Sequence, residues 1–66
     1  MTLIEKDIVN AIVGNPSRLR KISACKNGLE RRNKVKGLVV AECAAQKVKL
    51  TEEQVFAVTA AIVYTA

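Results

Sequence analysis

The residues best suited to chemistry in this sequence are cations, and they are crowded. Between Asn15 and Gly37 stand Arg18, Arg20, Lys21, Lys26, Arg31, Arg32, Lys34 and Lys36, with Glu30 the one carboxylate among them. The other three cations share the rest of the chain with five carboxylates, so the net charge of +5 is carried by this middle third. A local excess of that kind suits a polyanionic partner. Arginine adds a specific capability: its planar fork makes paired hydrogen bonds to a phosphate or a guanine edge, which the lysine ammonium cannot. Phosphate neutralisation would supply most of the affinity and make it steeply salt-dependent. The plain alternative is a solvated basic face that keeps an apolar chain in solution.

Other chemistries find little support. Histidine is absent, so Ser17, Ser23 and the threonines have no base to activate them, and an enzyme is not expected. Glu52 and Glu53 are sequence neighbours that point to different sides of a helix, which suits capping better than acid–base work. The three glycines stand too far apart for a phosphate loop. Cys25 and Cys43 are too few for a zinc site, and both fall in apolar helical patterns where free Cys acts as a small hydrophobe. No metal, cofactor or small-molecule substrate is expected. Met1-Thr2-Leu3-Ile4 runs straight into Glu5, Lys6 and Asp7 without an apolar stretch, so the expectation is a cytoplasmic protein with reduced thiols and no signal peptide. The longest charge-free run, Gln54 to Ala66, is too short to cross a bilayer.

The elements that must position the cations are helices. Thr2 with Glu5 is a capping box, opening a helix over Thr2 to Val13. Ile4, Ile8, Ala11 and Ile12 share its apolar face, with Leu3 and Val9 beside them, and Glu5, Lys6, Asp7 and Asn10 hold the other. Gly14 is expected to end it in the left-handed conformation. Asn15-Pro16 then caps and starts a helix over Ser17 to Lys26, with Leu19, Ile22 and either Ala24 or Cys25 facing inward. Asn27-Gly28 breaks it.

Leu29 to Lys49 is the longest helical pattern, although a strand at Gly37–Ala41 competes. Leu38, Ala41, Ala45 and Val48 form one stripe; Val35, Val39 and Cys43 form its neighbour. Gly37 marks a close crossing or a kink. Thr51 with Gln54 repeats the capping box, and Glu52 and Glu53 suit the positive end of the helix dipole. Beyond them the last helix is apolar nearly all round and should be buried. A single chain of 66 residues buries little surface. Val55, Phe56, Val58, Thr59, Ile62 and Val63 are therefore the candidate dimer interface.

Residues 16–36 could form one helix or a helix-turn-helix. Ala24 and Gly28 have the spacing of that motif's small residue and turn glycine, and the second helix would present Glu30, Arg31, Asn33 and Lys34 to a groove. Val35 arrives about one position late for the motif's next apolar residue.

The expectation is thus one all-α domain over residues 1–66, of three or four helices, assembled as a homodimer. The leading function is a small regulatory DNA-binding protein of the accessory type common in phages and mobile elements. Its phosphate contacts would be Arg18, Arg20, Lys21, Lys26, Arg31, Arg32, Lys34 and Lys36, with Arg31 and Asn33 reading bases. The alternative is a protein-interaction module whose basic face docks on an acidic surface of a larger host or viral protein. A membrane-active cationic peptide fits less well, because the charges lie within capped, folded segments.

Overall fold

In the computed structural model, which describes residues 1–65, the chain forms four helices and no strand among those residues. They are α1 (Leu3–Val13), α2 (Pro16–Ser23), α3 (Gly28–Gln46) and α4 (Glu52–Thr65). α1 and α3 touch each other and both remaining helices, whereas α2 and α4 do not meet. The continuous α3 settles the ambiguity at Gly37–Ala41 in favour of helix, and the break at residues 24–27 separates two helices within residues 16–36.

The helix starts follow from side chains that satisfy free backbone N–H groups. Glu5 N–H donates to Thr2 Oγ1 at 3.2 Å, and Thr2 N–H donates back to Glu5 Oε1 at 3.1 Å. Thr51 and Gln54 repeat this exchange at 2.9 and 3.2 Å. Asn15 Oδ1 accepts from Ser17 and Arg18 N–H. Asn27 is more than a breaker: its Oδ1 accepts from Glu30 N–H at 2.9 Å and starts α3.

The helix ends differ from expectation. Gly14 has φ −77°, an ordinary right-handed conformation, and caps α1 by donating to the Asn10 carbonyl at 2.8 Å. The left-handed residue is Lys47, with φ 56° and ψ 39°. Around it Val48 N–H donates to the Cys43 carbonyl and Lys47 N–H to that of Ala44. This nested pair stops α3 at Gln46, three residues before Lys49.

The core takes Ile8 and Ile12 from α1, Ile22 from α2, Val35, Val39 and Cys43 from α3, and Val58 and Ile62 from α4. Burial of such side chains contributes about 1.5–3 kcal/mol each. Of the two α3 stripes, the Val35–Val39–Cys43 one is buried; Leu38 is half-buried, and Ala41 and Ala45 are exposed. On α1 the inward face is narrower than its pattern, because Leu3 and Ile4 lie outside the core. Glu5 is buried instead of solvated, its carboxylate folded back onto Thr2. On α2 Ala24 is exposed and Cys25 half-buried. Gly37 is no crossing point, since a Cβ there would meet nothing within 4 Å.

Candidate nucleic-acid interface

The eight middle-third cations separate into two inside the fold and six outside. Arg18 is half-buried; its Nη1 pairs with Glu42 of α3 and donates to the Ala11 carbonyl of α1 at 3.2 Å. It joins three helices and is committed to the fold rather than to a phosphate. Gln46 Nε2 donates to the other Glu42 oxygen at 2.7 Å. These bonds, Gln46 first and Arg18 second, hold the Glu42 carboxyl below its ordinary pKa. Arg31 lies one helical turn before the buried Val35 and is itself half-buried. Its Nε is sealed from solvent with no acceptor among the described residues, so it is poorly placed to read a base edge.

Arg20, Lys21, Lys26, Arg32, Lys34 and Lys36 are exposed and form no ion pair among the described residues. Lys21, Lys26 and Lys34 converge on an open depression between α2 and α3, which Asn33 and Glu30 also line. Its wall includes Ala24, Cys25, Gly37 and Leu38. Glu30 is occupied locally: it accepts from Lys26 N–H at 2.8 Å and closes the turn into α3. Arg32 and Lys36 lie on the other flank of α3, toward α4, and the exposed Asn33 borders both flanks. α3 thus carries Lys34 on one flank and Arg32 and Lys36 on the other, with Asn33 between them.

The helix-turn-helix markers do not serve as such. Ala24 is an exposed C-cap, so no second helix leans on it, and Gly28 is the first residue of α3 without a left-handed backbone. The sharp turn that would need both residues is absent at that place.

The proposed dimer residues also divide. Val58 and Ile62 are fully buried in the chain's own core and leave no surface for a second copy, whereas the nearly buried Thr59 still borders a depression. Val55 and Val63 are half-buried, and Phe56 is exposed. A feature that sequence reasoning missed lies beside Phe56: a second depression, between α3 and α4, floored by Leu29, Val40, Leu50, Val55, Phe56 and Thr59. Its signal was present in the 29–32/33–36–40 spacing, which puts Leu29 and Val40 on one face with Arg32 and Lys36.

Both thiols are free, Cys43 in the core and Cys25 at the basic depression. Burial, and then the neighbouring Glu42 charge, push the Cys43 thiol above its ordinary pKa. No helix is long and apolar enough to cross a membrane among the described residues. No protein-family model, no curated protein and no solved structure matches this chain.

Proposed function

We propose that this protein is a small cytoplasmic regulator that binds duplex DNA as a homodimer. The observation that carries the reading is the convergence of Lys21, Lys26 and Lys34 on one open depression, with Arg20, Arg32 and Lys36 exposed on the same two helices. No carboxylate pairs with any of the six among the described residues, so their charge is available to phosphates. Arg18 and Arg31 drop out of the contact set, and Asn33, exposed between two cations, becomes the side chain best placed to reach a base edge.

The test is fluorescence anisotropy with a labelled duplex of about 30 base pairs at about 50 and 200 mM salt; some eight phosphate contacts, from Arg20, Lys21, Lys26 and Lys34 of each copy, predict a loss of about 10⁴-fold between them. A Lys21→Ala/Lys34→Ala variant, which removes two cations from each copy of the dimer, should bind more weakly, with a salt slope shallower by about 4. A chain that ignores the duplex at the lower salt would refute the proposal. The basic depression would then suit an acidic protein surface, recovered as one stoichiometric partner.

A further inference from the structure

The single phenylalanine of this protein is on its outside, with apolar neighbours that are also exposed. Its core is built of Ile, Val and one Cys, whereas Leu29 is 70% exposed, Phe56 59% and Val40 53%. Exposed apolar residues are informative when they form a patch rather than when they stand singly. These three are not scattered but line one depression between α3 and α4. Contiguous apolar surface rimmed by polar groups marks a contact site. The whole chain exposes 4568 Å², against roughly 4,100 Å² for a compact monomer of its mass by general area–mass scaling.

The rim says what covers it. Arg32 and Lys36 of α3 line the depression together with Glu52 and Glu53 of α4, yet no ion pair joins the two sets. Arg32 instead lies 5.0 Å from the centroid of the Phe56 ring, a cation–π contact that keeps its charge beside the apolar floor. A surface with a cationic and an anionic edge is complementary to itself under a two-fold rotation. We propose that a second copy of this chain seats on it. The α4 carboxylates of each copy then meet Arg32 and Lys36 of the other, which leaves Arg20, Lys21, Lys26 and Lys34 of each copy for phosphates, and the two Phe56–Leu29–Val40 floors close on one another. This rests on the dimer of the proposed function and names its interface: Val55, Phe56 and Thr59 of the expected set remain, joined by Leu29 and Val40 of α3, while Val58 and Ile62 stay in the core.

Sedimentation equilibrium of the full chain, without DNA, tests it. The expected mass is twice the 7.2 kDa of one chain. Phe56→Ala should weaken self-association by about tenfold, as removal of a central aromatic anchor does. Glu52→Lys/Glu53→Lys and Arg32→Glu/Lys36→Glu should each do so by about tenfold or more, through like charges brought together. Mixing the two charge-reversed chains should restore the dimer, because every rim contact is again between opposite charges. Helical circular dichroism of each variant separates loss of assembly from loss of fold. A monomer at every concentration overturns the proposal and leaves the depression to a different protein. A dimer indifferent to all three variants overturns this interface but keeps the dimer. Neither result bears on whether the basic depression holds DNA, which the anisotropy titration reads separately.

Discussion

Arg18 on α2 and Glu42 on α3 form an ion pair that also reaches α1, through the Arg18 bond to the Ala11 carbonyl. Both side chains are largely shielded, at 26% and 12% exposure, so the pair is less screened than one on open surface. α2 has only eight residues and places a single side chain, Ile22, fully in the core. A helix that short is not stable alone and depends on such ties. Arg18→Ala should therefore destabilise the fold by about 1–3 kcal/mol, the usual scale for hydrogen bonds to charged groups. The check is a lower urea midpoint at unchanged slope, with DNA salt dependence of the folded variant like that of the parent.

The pair also shows what was legible in the sequence. The four helices, their polar starts and the exposed cations follow from local patterns: Thr2–Glu5 and Thr51–Gln54 bond within one turn, and their spacing declares it. Arg18 is 24 residues from Glu42, and nothing local separates it from Arg20, which is solvated. In the same way α4 is apolar on every side, so its sequence could not say that Val58, Thr59 and Ile62 face inward while Phe56 faces out. Those assignments depend on where α1 and α3 lie.

The end of α3 carries a removable strain. Lys47 is the one described non-glycine residue in the left-handed region, where its Cβ crowds the following carbonyl. The nested bonds from Lys47 and Val48 require that conformation whatever the residue. Lys47→Gly should raise stability by about 1 kcal/mol, since glycine is the usual occupant of this position. Thermal unfolding should show a higher midpoint with unchanged helicity.

Two glycines should respond in opposite directions. At Gly37, mid-helix and exposed, an added Cβ meets open space, so Gly37→Ala should stabilise by about 0.5–1 kcal/mol through helix propensity. At Gly14 an added Cβ would sit 2.7 Å from the Asn10 carbonyl oxygen, which is backbone and cannot move aside cheaply. Gly14→Ala should destabilise by about 1 kcal/mol or more through that overlap. Paired urea titrations decide it: equal shifts in one direction would contradict the packing at one of the two sites.

Stability should fall in acid, and two carboxylates should contribute to the slope. Bonds from the Thr2 side chain, then the Thr2 backbone, hold the Glu5 carboxyl below 4.5, and Gln46 and Arg18 do so for Glu42. Folding favours the ionised form of both. Their contribution is therefore complete above about pH 4.5, the unfolded value, and is lost as pH falls through the lower folded values. Glu5→Gln keeps the capping-box geometry, since glutamine also accepts from the Thr2 N–H. It should flatten the stability curve below pH 4.5 while leaving the fold intact near neutrality. Glu42→Gln should flatten it too, but at a lower plateau, because Arg18 then loses its counter-charge among the packed helices. Urea titrations from neutral to acid pH would show both effects, and an unaltered slope in Glu5→Gln would remove the Thr2–Glu5 exchange as a cause.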